Sequence, residues 1–402
     1  MPIPTPFHSR TAPLCESNEW RTWSGYLAAS LYQVTHETEY YAIRNSVALI
    51  DVSPLYKYEV RGPDAVRLLN RVMTRDIARC AVGQVMYTPW CDDEGKIIDD
   101  GTVACLENDR YRVTAADPNL VWFQDSAIGL DAEVADVSSD LAALAVQGPN
   151  SRQVLKRLLP KTDLDVLRYY RLTHAQTGAR SSPRNINLTV SRTGYTGDLG
   201  YELWMEPKHA EAVWDMLMEI GAKYGMLPAG MVALDIARIE AGLLLSDVDY
   251  ISSRKALIPD QKSSPFELGL GWTADLEKGY FIGRDALIEE KRRGSKWQFT
   301  GIEVDWNSLE SLFSAADLPP TVAGRASRLS LPVYKYNRQI GYASSHTFSP
   351  ILKKYIALAS LNYPLAMPGD NVEIEITVEH VRHRAKALIT SPQFYNPIRK
   401  RA

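Results

Sequence analysis

Three places in the chain combine residue types that could do chemistry. The first is Asp99-Asp100, which follows two isoleucines in Lys96-Ile97-Ile98-Asp99-Asp100-Gly101. A strand sends successive side chains to opposite faces, so one acid shares a face with Ile98 and the other with Ile97. If the strand is central, one carboxylate is forced into a partly buried place, where it needs a partner or a task. The alternative is a strand-end acid capping the turn before Gly101. A calcium loop is excluded, because Asp92 to Gly101 lacks glycine at the sixth position and glutamate at the twelfth. The second place is Ser191 to Leu203, with glycines at 194, 197 and 200. These permit tight turns or close approach to a flat ligand, and their spacing fits neither a phosphate loop nor a dinucleotide fingerprint. Glu202 follows, between Tyr201 and Leu203. A carboxylate there can accept two parallel N–H donors from a 2-amino-4-oxo heterocycle; a plain hairpin with Glu202 in solvent is the alternative. The third is Asp235, Arg238 and Glu240 on an apolar helix, where Asp235 and Arg238 are spaced as a structural ion pair.

Other chemistries find no support. The seven histidines show no metal-ligand spacing, and no metal is expected. No serine sits in a G-x-S-x-G elbow, so a hydrolase triad is unsupported. The four cysteines form no C-x-x-C pair; scattered thiols suit a cytoplasmic protein. Forty-five basic against forty-eight acidic residues give a net charge of −3, without the basic excess of a nucleic-acid binder. No apolar run reaches the ~18 residues a membrane span needs, and the N-terminus has no apolar signal segment. The chain is expected in the cytoplasm, with neither nucleic acid nor membrane as partner.

The elements that must position these residues follow from pattern. With 402 residues the chain is long enough for two or three domains. Val60-Arg61-Gly62-Pro63-Asp64 and Val146-Gln147-Gly148-Pro149-Asn150 echo one another. Each reads as strand, glycine turn, proline at the first helical position and amphipathic helix. Between them lies a meander: Gln84 to Trp90, Lys96 to Leu106 and Tyr111 to Ala115. A hairpin joins Leu188–Ser191 to Tyr201–Met205, and helices are expected near Pro207 to Tyr224 and Gly230 to Leu244. Loops are expected over Ser246 to Pro265 and Ser308 to Ser330. After about residue 295 the pattern is strands, Phe299–Val304, Leu331–Tyr336, Ile340–Ala343, Ile356–Leu361 and Val372–Val378, without a strong helix. That suggests a small barrel or sandwich.

Taken together, these segments resemble the aminomethyltransferase family, founded on the glycine cleavage system T protein and including tetrahydrofolate-dependent demethylases. The resemblance is carried by Leu49-Ile50-Asp51-Val52-Ser53, Gly62-Pro63-Asp64, Lys96 to Asp100, Val146-Gln147-Gly148-Pro149, Arg192 to Gly197 with Gly200-Tyr201-Glu202-Leu203, and Arg238-Ile239-Glu240-Ala241-Gly242. Phe281 to Leu287, Thr347-Phe348-Ser349-Pro350 and Ile356 to Ala359 complete it, in family order from about residue 40 to residue 361. It implies an α+β fold: a three-domain ring with two interleaved α+β domains and a C-terminal β-barrel-like domain. The implied division is 1–57 with 138–240, 58–137 with 241–294, and 295–402. It implies tetrahydrofolate as one-carbon acceptor, Asp100 as the catalytic carboxylate and Glu202 as the acid that grips the pterin. Tyr87, Tyr195, Thr114 and Trp272 would line the folate site, and Tyr26, Trp90 and Leu55 the donor site.

The chain departs from the T protein at Leu234, where a folate-channel arginine is usual, at Thr114 in place of asparagine, and at Pro54-Leu55. These departures set the chain apart from the T protein and from vanillate- or syringate-type O-demethylases, while Asp100-Gly101 resembles the demethylases more than the T protein. The expected activity is a demethylase moving a methyl group from a small N-, S- or O-methyl donor. The alternatives are a T protein taking its carbon from an aminomethyl-lipoyl carrier protein, and a non-catalytic folate binder on the same scaffold.

Overall fold

A computed structural model describes residues 1–178 and 185–402. By internal contacts the chain divides into two compact units. The first comprises Met1–Thr88, Asp99–Ala237 and Asn396–Ala402, and the second Pro89–Ile98 and Arg238–Tyr395. Among the described residues no helix is long and apolar enough to cross a membrane.

The first unit carries a six-stranded sheet in the order Leu172–Gln176, Asn187–Ser191, Gly200–Met205, Ala142–Gln147, Val47–Asp51, Met226–Pro228. Only the last strand pairs in parallel. The helices Ser151–Leu158 and Ala210–Gly221 bury Val154, Leu155, Leu158, Val213, Trp214 and Leu217 in a core shared with Leu144, Val146, Val190 and Leu203. A second sheet runs in the order Val85–Cys91, Ile97–Glu107, Arg110–Ala115, Tyr56–Arg61, Glu133–Asp136. The fold class is thus mixed α+β, as the sequence pattern leads one to expect.

The two echoed turns share one backbone solution. Gly62 has φ +118° and Gly148 φ +123°, a region that other residues rarely enter. A Cβ on Gly148 would meet the carbonyl oxygens of Ser46 at 2.7 Å and Ile43 at 2.9 Å, and one on Gly62 that of Asp131 at 2.5 Å. In both copies the proline precedes the helix cap rather than opening the helix. The helices begin at Ala65 and Ser151 with Asp64 and Asn150 as caps, because the glycine turn closes first, Ala65 N–H bonding to Gly62 O at 2.9 Å. Gly148→Ala is expected to lower the unfolding free energy by about 2–4 kcal/mol, from strain plus the backbone clash. Urea unfolding measures this, and a loss below about 0.5 kcal/mol would show that the turn relaxes freely.

In the second unit a closed six-stranded barrel is formed by Trp297–Val304, Lys354–Asn362, Arg338–Ser349, Leu331–Lys335, Asn371–Val378 and Val381–Thr390. Alternate residues Val372, Ile374 and Ile376 share its core with Ala385, Ala387 and Ile389, Val372 pairing with Ala387 and Ile374 with Ala385. One expectation is corrected here. A helix, Trp306–Ser314, occupies the start of the stretch read as loop. Asp305 caps it by accepting from the Ser308 N–H at 2.7 Å, and Leu309 and Phe313 enter the barrel core. The strand Val381–Thr390, dense in arginine, histidine and lysine, joins the expected strands and closes the barrel; its polar positions face outward and its alanines inward.

Candidate functional site

The two adjacent acids divide as strand alternation requires. Asp99 is wholly buried. It accepts from the N–H groups of Asp100 at 2.8 Å and Asp117 at 2.9 Å, and from Asn119 Nδ2 at 2.8 Å. Burial pushes its pKa up, and the N–H donors pull against that. Its work is local: it ties the segment after the strand Arg110–Ala115 back onto the sheet. Asp100 points the other way and is partly accessible. It accepts from the Tyr87 hydroxyl at 2.8 Å. Burial first, and then the Asp100 charge, holds the Tyr87 phenol well above its ordinary range, so the tyrosine is a permanent donor. Tyr87→Phe removes one hydrogen bond to a charged group, about 1.5 kcal/mol. A fall in kcat of about tenfold is therefore expected in a transfer assay. An unchanged kcat would show that Asp100 needs no such support.

Glu202 lies on the strand Gly200–Met205. Its carboxylate accepts from the Thr193 hydroxyl at 2.6 Å and the Ser191 hydroxyl at 3.5 Å. Burial raises its pKa, opposed by the Thr193 hydrogen bond and the charge of Arg112. The glycine-rich turn before it wraps a side chain rather than a bare backbone bend. A Cβ at Gly194 or Gly200 would stand 2.1 Å from Gln147 Oε1. Gln147 Nε2 donates to Thr193 O at 3.2 Å and Tyr201 O at 3.3 Å, and Oε1 accepts from Thr196 at 2.8 Å. The close approach that glycine permits is therefore made to Gln147, which fixes Thr193 and through it Glu202.

Two tyrosines and an arginine join these acids, and sequence reasoning missed all three. Tyr169 and Tyr170 meet edge to face at 4.6 Å between ring centroids. Tyr170 holds φ +59°. Its N–H bonds to Arg192 O at 3.0 Å, and its carbonyl accepts from Val85 N–H at 2.9 Å. That clasp sets Tyr170 between the Glu202 turn and the Tyr87 strand. Burial, Tyr169 and the Glu202 charge raise its phenol, while Tyr87 feels Asp100, Tyr170 and Tyr195. The Tyr170 backbone thus links the strand that carries Tyr87, the hydrogen-bond partner of Asp100, to the residue before Thr193, the hydrogen-bond partner of Glu202. Arg112 stands beside Glu202, its guanidinium 4.1 Å from the Trp204 ring centroid. The one sequence cue for the pair is two adjacent tyrosines, Tyr169-Tyr170, before the strand Leu172–Gln176.

The remaining expected residues are placed as follows. Thr114 is buried and its hydroxyl lies 2.5 Å from that of Thr102. Tyr195 is half-buried in the glycine turn. Leu55 lies in a loop organised by the buried Lys57, whose Nζ donates to Ser53 O at 2.6 Å, Leu55 O at 2.8 Å and Ser138 O at 3.3 Å. Tyr26 lines an open depression of about 310 Å³ with Ile3, Ser53 and Ser138. Trp90 and Trp272 belong to the second unit; Trp90 is wholly buried, and Trp272 is 65% exposed on the turn Gly271–Thr273. Arg238 pairs with Asp249 within the second unit, and Asp235 with Arg21 at 3.5 Å within the first.

Residues 7–278 match the model of the GCVT N-terminal domain, and residues 323–396 that of the glycine cleavage T-protein C-terminal barrel domain. The chain belongs to the glycine cleavage T-protein family. An aminomethyltransferase of Halothermothrix orenii is 35% identical over 84% of this chain and 86% of its own length. One from Thermoanaerobacter sp. is 32% identical over 89% of each. A trimethylamine-oxide aldolase of Ruegeria pomeroyi is 34% identical over 99% of this chain, which spans 47% of that protein. The crystal structure of the glycine cleavage system aminomethyltransferase T from Bartonella henselae shares the fold. Its TM-score is 0.80 at 20% identity, over 98% of this chain and 99% of that one. Members of this family are tetrahydrofolate-dependent transferases, and the chain is an enzyme of that class. The residues in the first unit suit the acceptor: a recessed carboxylate in Glu202, aromatic surfaces in Tyr87, Tyr169 and Tyr170, and a buried guanidinium donor in Arg112.

Proposed function

We propose that the chain moves a one-carbon unit from a nitrogen-bearing donor to tetrahydrofolate, as an aminomethyltransferase. The observation that carries this reading is the placing of two acids in one unit, Asp100 hydrogen-bonded to Tyr87 and Glu202 to Thr193, with the Tyr170 backbone bonded both to Val85 on the Tyr87 strand and to Arg192 beside Thr193. Tetrahydrofolate, when bound, supplies N5 as the nucleophile that accepts the carbon. Glu202 accepts the N–H edge of the pterin and fixes its plane. Tyr87, Tyr169 and Tyr170 exclude water from around it. Asp100, oriented by Tyr87, stabilises positive charge at the donor nitrogen and holds the proton exchanged there. Alignment of acceptor and carbon supplies much of the rate.

The aminomethyltransferase relatives support a lipoyl carrier protein as the donor, giving methylene-tetrahydrofolate. A second reading keeps the same site and replaces the carrier with a small amine-borne donor. It is favoured by the match to the trimethylamine-oxide aldolase, which extends over 99% of this chain where the two aminomethyltransferases cover 84% and 89%.

The deciding experiment is a transfer assay with tetrahydrofolate and either an aminomethyl-loaded lipoyl carrier or a panel of small methylated amines. Turnover with the carrier alone supports the first reading, and turnover with a free amine the second. Saturable folate binding with neither activity would leave a folate-binding protein and overturn the enzymatic proposal.

A further inference from the structure

Arg112 occupies the middle of the strand Arg110–Ala115, opposite Glu59 on one side and Ala104 on the other. The residue is 5% exposed. Stacking on Trp204 holds the plane of the guanidinium, yet stacking satisfies none of the N–H groups that radiate within that plane. The Nε–H, shut off from water, meets no acceptor. The carboxylate opposite is engaged elsewhere, since Glu59 pairs with Arg110 at 2.8 Å and with Arg61. Glu202 accepts its hydrogen bonds from Thr193 and Ser191. Buried polar groups are normally satisfied, and the unsatisfied Nε–H of Arg112 calls for an acceptor, which a bound ligand would supply. Burial lowers the Arg112 pKa to about 10, and the charge of Glu202 is the foremost influence raising it.

Position says which acceptor. Glu202 and Trp204 are two residues apart on one strand and so share a face. The guanidinium on Trp204 therefore addresses the space that the Glu202 carboxylate addresses, with opposite polarity. A 2-amino-4-oxo heterocycle presents two N–H donors followed by one carbonyl acceptor along a single edge. A carboxylate satisfies the two donors and leaves the carbonyl without a partner.

We infer that Arg112 is a ligand-binding residue that donates to the 4-oxo oxygen of the pterin gripped by Glu202. The assignment rests on the folate reading above and adds a second, opposite contact to it. Arginine suits this task better than lysine because its planar donors are held in register by the indole beneath.

The test is calorimetric and needs no turnover. 5-Formyltetrahydrofolate and its 4-amino-4-deoxy counterpart are titrated into the wild-type chain, Arg112→Met and Arg112→Lys. Wild type is expected to prefer the 4-oxo ligand by about tenfold or more. Arg112→Met should lose about tenfold for the 4-oxo ligand and nothing for the 4-amino one, lowering the preference by that factor. Arg112→Lys should fall between. Equal wild-type affinity for the two ligands, or equal losses on Arg112→Met, overturns the inference while leaving folate binding intact. Absence of saturable binding of 5-formyltetrahydrofolate to folded wild type overturns the folate reading itself, and this assignment with it. The 4-amino ring also lacks the N3–H that Glu202 accepts, so the change in preference on substitution, not the wild-type preference itself, reads Arg112, and Arg112→Lys supplies that reading if Arg112→Met fails to fold.

Discussion

Asp100→Asn should lower kcat by about 10²- to 10³-fold, the range for removing one preorganised electrostatic or acid–base group. Tetrahydrofolate affinity should stay within about twofold, an energy change of about 0.4 kcal/mol. The substitution keeps the size and the acceptor oxygen, so the Tyr87 hydroxyl can still donate to it. What it removes is the negative charge. Asp99 is the natural control. It lies one residue away, wholly buried and bonded to Asp117 and Asn119. Asp99→Asn should act on stability, because one of its N–H donors would then face an amide N–H instead of an acceptor. Stopped-flow or discontinuous assay of both variants, with calorimetric folate binding, separates the cases. If Asp100→Asn keeps kcat within about tenfold of wild type, the charge is not used in the chemical step. If Asp99→Asn shows the larger kinetic loss on a folded protein, the two acids have been assigned in the wrong order.

That pair also shows what the sequence could and could not reveal. Strand alternation required the two carboxylates to part, and the structure parts them. It left open which acid is buried, because Ile97 and Ile98 are equally apolar. Glu202 was legible from its place between Tyr201 and Leu203 after three glycines. The reason for those glycines was not, since Gln147 arrives from a strand more than forty residues earlier. Tyr169, Tyr170 and Arg112 carry no periodic signature. An arginine opposite Glu59 in a two-residue alternation reads as a solvated cross-strand pair, and only tertiary packing on Trp204 reveals that it is buried. The helix Trp306–Ser314 was legible in principle. Asp305 is a cap residue, and Leu309, Leu312 and Phe313 recur at helical spacing. Its serines and its short length made the stretch resemble a loop.

Glu202→Gln should weaken tetrahydrofolate binding about a hundredfold, corresponding to about 3 kcal/mol. Glutamine keeps the shape but offers one acceptor and one donor toward a ligand edge that presents two donors. One charge-assisted hydrogen bond is lost and one N–H is set against another. The same substitution should leave the free protein at least as stable as wild type. Burial raises the Glu202 pKa above its ordinary value, with Thr193 and Arg112 offsetting part of the rise. The folded state therefore binds this proton more tightly than the unfolded chain does. The resulting penalty on folding is absent below the ordinary glutamate pKa, grows as pH rises through it, and is complete above the raised value. Glutamine removes that penalty at neutral pH. Folate affinity of wild type should move the other way with acidity, falling as pH drops through the raised pKa and Glu202 takes up a proton. Glu202→Gln should lack that part of the pH dependence. Calorimetry between pH 5 and pH 8, with thermal unfolding of the ligand-free proteins, reads both effects. A variant that binds as wild type does would show that Glu202 does not hold the pterin. A variant that loses binding together with a large fall in Tm would assign Glu202 to the architecture of the glycine turn. Loss of affinity at undiminished stability is the combination expected of a carboxylate that the fold keeps charged, against its own stability, for a ligand that requires the charge.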